Sequence, residues 1–378
     1  MVQSRAILLT GSTGFIGGDL LRSLFERDSE VRVYCLIRAK TRELLEARRR
    51  ALLAHIGVDG PDAARVIAVA GELIQEDLGL GDAFAAIARD VDEIYHVAAS
   101  TKFDLALEDA RAINRDGAAH VLAFARAAQD AGGLRRLHHV STAYVVGRRE
   151  GVLTEDDALS PDFRNTYEQT KWESEQLLNP ERAGVPVTCY RPSIVVGNSS
   201  TGATLHFRVL YDPMRWIYGG KMDVLPCRPG VRLDVVPVDY VCDAVIAIGS
   251  RADSEGGVYH LTSGPEGAMS IREIVDVAVD VVNRYHGEIG EDPIATPTIA
   301  SPDAPPSKNA EERARLEKLF QLGETVMGSH VPYMVSEQLF DTTRTRRALS
   351  DTEIVCPPLP SYLPRIVRWG VERRFENR

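Results

Sequence analysis

Short apolar runs alternate along the chain with longer stretches in which apolar residues recur at helical spacing. Residues 5–10 form the first run, and Gly11-Ser-Thr-Gly14-Phe-Ile-Gly17 follows directly; Leu20, Leu21, Leu24 and Phe25 then mark one face of a helix. Further runs stand at 31–37, 66–70, 93–97, 137–141 and 187–190, with a basic helix over 42–55 and a long helix through Asn114 between them. This rhythm predicts an α/β fold, a Rossmann-type doubly wound parallel sheet whose ligands sit at the carboxyl ends of the strands.

Beyond Gly197 the pattern loosens. Residues 198–230 are rich in Gly, Ser and Pro, with Phe207, Tyr211, Trp216 and Tyr218 interspersed. A loop covering the substrate is expected there, although aromatics at such spacing also serve as plain core. Val235-Val-Pro-Val-Asp-Tyr-Val241 is expected to return to the sheet, with Asp239 capping a helix that runs to Gly249. Another strand is expected at 258–261 and another helix at 271–285. A Pro-rich linker (299–308) and a charged helix (309–322) follow. The division expected is a larger Rossmann-type domain at 1–200, completed by 231–262, and a smaller C-terminal substrate-binding lid from 201–230 and 263–378.

Composition narrows the function classes. The 378 residues are 44% apolar and 26% charged, ordinary for a soluble globular protein. A net charge of −10 leaves no excess of Lys and Arg to neutralise phosphates, which argues against nucleic-acid binding. The five cysteines are scattered without a CxxC pair, fitting neither a disulfide framework nor a zinc site; a reducing cytoplasm is the natural compartment. No apolar run approaches the roughly 20 residues needed to span a bilayer. The tail 362–375 is a basic amphipathic segment, with Leu363, Ile366, Val367 and Val371 on one side. Packing on the smaller domain is expected of it, with peripheral membrane contact or an acidic partner as the alternative.

Candidate chemistry gathers at the predicted strand ends. In the glycine loop, Gly11 permits the turn, Gly14 the approach of a dinucleotide pyrophosphate, and Gly17 the packing of helix on strand. Ser12, Thr13, Phe15 and Ile16 complete the loop. Arg38 stands at the end of the second run, where an acid usually marks NAD and an arginine accommodates the 2′-phosphate of NADP(H). Arg48 keeps the surroundings positive, and Glu72 and Leu73 offer a rest for adenine. Ala98, Ala99 and Ser100 are small enough for a cofactor to lie against the sheet edge, and Pro192, Ser193 and Ile194 end the sixth run.

Tyr167 and Lys171, at i and i+4, share one helix face with Ser174 and Leu178. A lysine ammonium there is expected to pull the phenol down from about 10 towards working pH, suiting it to protonate a carbonyl oxygen during hydride transfer. His96, His138 and His139 carry no metal-ligand spacing and read as core or as residues backing the site; no metal is expected. No G-x-S-x-G elbow is present, and the cysteines lack an evident base.

Together these residues resemble the extended short-chain dehydrogenase/reductase superfamily: the glycine loop, Val140-Ser-Thr-Ala-Tyr144, Tyr167-Glu-Gln-Thr-Lys171 and Tyr190-Arg-Pro-Ser-Ile-Val-Val-Gly197 look like its motifs. Cys35-Leu-Ile-Arg-Ala39, Arg48, His96 to Ala99, Val236 to Val241 and Phe340 to Thr343 resemble the thioester reductase and fatty acyl-CoA reductase (male-sterility type) branch. Where such proteins often carry Asp after the glycine, Glu72 stands here. The sequence shows no adenylation domain and no carrier attachment site, so a thioester is expected to arrive from coenzyme A or from another protein such as an acyl carrier protein. The resemblance implies a catalytic set of Thr142, Tyr167 and Lys171, NADPH as hydride donor, and an aldehyde, or an alcohol after a second hydride, as product. The alternatives are an extended reductase, dehydrogenase or epimerase of a ketone, sterol or nucleotide sugar, with Arg232 on a diphosphate, and a non-catalytic NADP-binding protein.

Overall fold

The structure, a computed structural model, describes residues 5–157, 162–179, 183–220, 224–228, 230–300 and 327–376, with residues 314, 317, 318 and 321. Its centre is a seven-stranded sheet. From one edge to the other the strands are Val258–Leu261, Val187–Pro192, Arg136–Val140, Glu93–His96, Ala6–Thr10, Arg32–Ile37 and Val66–Ala70. Every pairing is parallel. The first strand is buried along its whole length, as an apolar run covered on both faces must be. Connections leave it in opposite directions, and the crevice opens at that switch point.

One face packs Leu20, Leu21 and Leu24 of the helix Phe15–Arg27 with Val241, Val245 and Ile248 of the helix Val238–Gly249. The other packs Val121, Leu122 and Phe124 of the helix Gly117–Asp130. The long helix expected through Asn114 is interrupted: Leu107–Arg111 passes through a π-helical turn, Ala112–Asp116, before Gly117. An extra residue in that turn rotates Asn114 inward, where it is 2% exposed.

Two other expectations change. Val235–Pro237 does not rejoin the main sheet but pairs with Ile194–Val196 in a separate two-stranded ribbon. Pro237 has no N–H to extend a ladder. The same proline occupies the N-cap of the following helix, so Asp239 lies inside its first turn. Freed from capping, its carboxylate accepts from the Ser199 N–H (2.8 Å) and hydroxyl (2.5 Å) and anchors the loop after Gly197.

A separate apolar core lies beyond the sheet. The helix Ile271–Ile289, opened by a Ser270–Glu273 capping box, packs against the helix Tyr211–Tyr218 and the tail helix Leu363–Glu372. The region 198–230 is thus no simple loop: Phe207 and Tyr211 are buried core, and Val224–Pro226 pairs with Thr298–Ala300. The tail's apolar residues Leu363, Ile366, Val367 and Val371 are buried here, which removes the face a membrane contact would need. Arg368 of this tail is paired with Glu288 (2.7 Å) and Glu372 (2.7 Å). The Pro-rich stretch past Ala300 and the charged stretch 309–322 lie outside the described residues, apart from 314, 317, 318 and 321. Among the described residues no helix is long and apolar enough to cross a membrane.

Candidate active site

A cavity of about 650 Å³ opens at the carboxyl ends of the strands and runs from the glycine loop to the helix Ile271–Ile289. Of the residues expected to hold cofactor, Gly11, Thr13, Gly14, Phe15, Ile16, Gly17, Arg38, Arg48, Glu72, Leu73, Ala98, Ala99, Ser100, Pro192, Ser193 and Ile194 line it. Ser12 is fully buried behind the loop. Thr142 and Tyr167 line the cavity as well, while Lys171 lies just behind its wall, 2% exposed.

At the loop, sterics demand glycine twice. Gly11 has φ +78°, and a Cβ there would lie 2.7 Å from the Ala98 nitrogen; a Cβ on Gly17 would lie 2.1 Å from the Gly11 carbonyl oxygen. The helix beginning at Phe15 has a glycine N-cap and no side-chain cap, leaving its first N–H groups to an incoming ligand. A glycine cradle, an open helix N-terminus and small residues at Ala98 to Ser100 fit a dinucleotide pyrophosphate. Arg38 projects with its side chain 73% exposed, its Nε 4.0 Å from Glu72, and Arg48 donates to the Arg38 carbonyl.

The neighbouring strand ends are tied together by side chains. Thr10 Oγ1 accepts from the N–H groups of Val97 and Ala98, both at 3.2 Å. Asn114 accepts from the Ser100 N–H (2.8 Å) and donates to the Ser100 carbonyl (3.0 Å) and to Thr170 Oγ1 (2.9 Å), joining the cofactor edge to the helix that bears Tyr167. In the sequence, Asn114 carried one signal of this role, an amide amid apolar helical positions, too slight to mark it as a site residue.

The helix Thr166–Leu177 is capped by Asn165, whose side chain accepts from the Glu168 N–H at 3.0 Å. It presents Tyr167 to Thr142, which follows the strand Arg136–Val140. The two electrostatic partners differ from expectation. Burial pushes the Tyr167 phenol up to about 12; the hydrogen bond with Thr142 opposes this and the Glu168 charge adds to it. Lys171 is engaged on the strand side. Its ammonium donates to the Val140 carbonyl at 2.9 Å and lies 3.5 Å from His139 Nε2, and burial pulls it down to about 8. Spacing alone put the pair on one helix face, but the lysine's long chain reaches back to the strand. His96 and His139 stack at 5.3 Å, both buried and held neutral by desolvation, as core residues.

At its other end the cavity is apolar, with Met214, Ile217, Leu225, Leu233, Ile271, Ile274, Val275, Ala278 and Met334 around it. Phe103, Tyr144, His330 and Tyr333 stand between this end and Tyr167. Phe103, His330 and Tyr333 were not singled out from the sequence, because nothing local distinguishes a wall residue from core. Arg232, considered for a diphosphate, is held by Glu337 (3.0 Å) and does not line the cavity.

Comparison with known proteins agrees with this geometry. Residues 9–245 match the model of the NAD-binding family described as male sterility protein. The non-canonical nonribosomal peptide synthetase FrzA of a Cladobotryum species is 32% identical over 282 residues, 70% of this chain but 26% of that protein. Aldehyde reductase lnbA of Aspergillus flavus is 30% identical over 297 residues, 74% of this chain and 29% of that protein. The chain therefore spans only a minor part of these relatives. Among solved structures, the terminal R domain from the myxalamid PKS-NRPS biosynthetic pathway is similar with a TM-score of 0.78 and 28% identity, over 98% of this chain and 92% of that one. A dinucleotide cradle, a Rossmann sheet and a family model covering most of the chain lead to one conclusion: this chain belongs to the NAD-binding family described as male sterility protein.

Proposed function

We propose that the chain reduces an acyl thioester, carried by coenzyme A or by an acyl carrier protein, to an aldehyde at the expense of NADPH. The observation that carries this reading is the placement of the Thr142–Tyr167 hydroxyl pair between a glycine cradle and an apolar chamber, within a single cavity. The similarity to a nonribosomal peptide synthetase and to a terminal R domain of a PKS-NRPS pathway supports a carrier-bound substrate.

When bound, the nicotinamide supplies a hydride to the carbonyl carbon. The chain's own residues do the rest. Thr142 and Tyr167 hold the carbonyl oxygen and meet the charge that develops on it. A phenol held near 12 stays protonated at neutral pH, so Tyr167 keeps a proton to hand over. The hemithioacetal then loses thiol as its C–S bond breaks, and the aldehyde is left. Lys171 would hold the nicotinamide ribose, Arg38 and Arg48 the 2′-phosphate, and Glu72 and Leu73 the adenine. We assign residues 1–200 with 231–262 to NADP(H), and 201–230 with 263–378 to substrate. Arg208 is exposed at the cavity rim and is the candidate for a substrate phosphate. Free thiols at all five described cysteines suit a cytoplasmic setting.

The assay is NADPH oxidation with acyl-CoA, acyl-carrier, ketone and nucleotide-sugar substrates, with free thiol and trapped aldehyde measured together. Equimolar thiol and aldehyde are expected from a thioester. Consumption of a ketone or nucleotide sugar, and of no thioester, would overturn the proposal.

A further inference from the structure

The short helix Val331–Val335 brings Tyr333 and Met334 into the cavity from a part of the chain remote from the catalytic motifs. The Tyr333 ring stands edge-on to Tyr144 at 5.3 Å and nearly parallel to Phe103 at 5.6 Å. Phe103 in turn lies 6.0 Å from the Tyr167 ring. An aromatic wall therefore runs from Tyr333 to the proposed proton donor.

That wall is fastened to the catalytic helix. The Tyr333 hydroxyl donates to Glu168 Oε1 at 2.5 Å and accepts from Asn165 Nδ2 at 2.7 Å. Glu168, the residue after Tyr167, is fully buried, and its other oxygen accepts from the Arg164 N–H at 2.9 Å. The Arg164 guanidinium lies 5.1 Å over the Tyr333 ring. A buried carboxylate is tolerated only with such partners, so the ring is locked to the turn that presents Tyr167. Tyr333 also stands at a boundary. It packs on the cluster of Tyr144 and Phe340 beside the catalytic pair, whereas its neighbour Met334 belongs to the chamber cluster of Ile217, Leu225 and Val275.

We infer that Tyr333 is a specificity-determining residue: clasped by Glu168, its ring directs an apolar acyl chain from the Thr142–Tyr167 pair into the chamber of Met214, Ile217, Leu225, Ile274 and Ala278. This rests on the thioester reading given above. A purely structural clasp would weaken the fold without sorting substrates by chain length. A guiding wall is felt only by a chain long enough to pass it.

The test uses the full chain with NADPH. Acyl-CoA substrates of increasing chain length are compared, alongside S-ethyl- and S-decyl-CoA thioethers, which have no carbonyl to reduce. Thioether binding is followed through tryptophan fluorescence, since Trp216 packs on His330 at the chamber (6.3 Å). In Tyr333→Ala, KM for long acyl chains and Kd for S-decyl-CoA should rise about tenfold, while short-chain kinetics and NADPH affinity stay within about twofold. Tyr333→Phe should move the same quantities less, because the ring remains and only the clasp is lost. Glu168→Gln, which keeps an acceptor for the phenol, should retain the wild-type chain-length discrimination. Equal losses for short and long chains, or no loss, would overturn the inference. Should Tyr333→Ala fail to fold, Tyr333→Phe carries the same comparison. Should the wild type reduce no acyl-CoA, the reaction assigned above falls; the thioether titration then decides separately whether Tyr333 guides a chain.

Discussion

The two ends of the cavity are built by different means. At the cofactor end, recognition rests on backbone: Gly11 and Gly17 pack where no Cβ fits, and Gly14 opens a helix whose N–H groups face the ligand. At the other end it rests on side chains from segments far apart, with Met214, Leu225, Ile274 and Met334 each on a different element. A backbone cradle needs contiguous residues and leaves a motif. A wall assembled from distant side chains leaves none, and it can be altered one residue at a time without disturbing the cradle.

The largest effect should come at the seam between the two ends. Tyr167→Phe removes the proposed proton donor and preserves shape, so turnover should fall by roughly 10² or more while NADPH affinity changes little. Rapid-quench turnover and a cofactor titration together measure both; near-normal turnover would remove Tyr167 from the role of acid.

Next comes the cradle itself. Gly17→Ala sets a methyl 2.1 Å from the Gly11 carbonyl, where backbone must move. NADPH binding should weaken at least tenfold, roughly 1.4 kcal/mol, whereas tryptophan-detected binding of S-decyl-CoA should hardly change. Parallel loss of both ligands would show that the ends are not separable.

A smaller effect is expected at the adenine edge. Arg38→Gln should cut the preference for NADPH over NADH about tenfold, the scale of one charge-assisted phosphate contact. An unchanged ratio of the two dissociation constants would leave Arg38 a solvated residue and shift attention to Arg48.

The smallest and most graded effect is with pH. Lys171 is pulled from 10.5 to about 8 by burial, so its ammonium is lost as pH rises through 8, and both cofactor affinity and turnover should decline over that range. Stability should move the other way. The unfolded chain holds this proton up to its ordinary range and the folded chain releases it earlier, so this group's contribution to stability rises with pH between about 8 and 10.5. A Lys171→Met variant should lose both slopes in a pH series of cofactor titrations and melts. Wild-type affinity that stays flat from pH 7 to 9 would count against a charged Lys171 in cofactor binding.

By itself, the sequence determined what short-range physics controls. Apolar runs covered on both faces specified the parallel strands, and the glycine spacing specified the turn that meets a pyrophosphate. The spacing of Tyr167 and Lys171 put both on one helix, and the apolar stripe of the tail specified a buried face. The tertiary structure alone decided the rest, because each feature depended on a partner distant in sequence or on a single backbone irregularity. A π turn aimed Asn114 at Ser100 and Thr170. Pro237 took the cap position and left Asp239 to hold Ser199. Burial, which no pattern reports in magnitude, lowered the Lys171 ammonium and left the Tyr167 phenol high. The ring of Tyr333 faces Tyr144 while Glu168, 165 positions away in the chain, receives its hydroxyl.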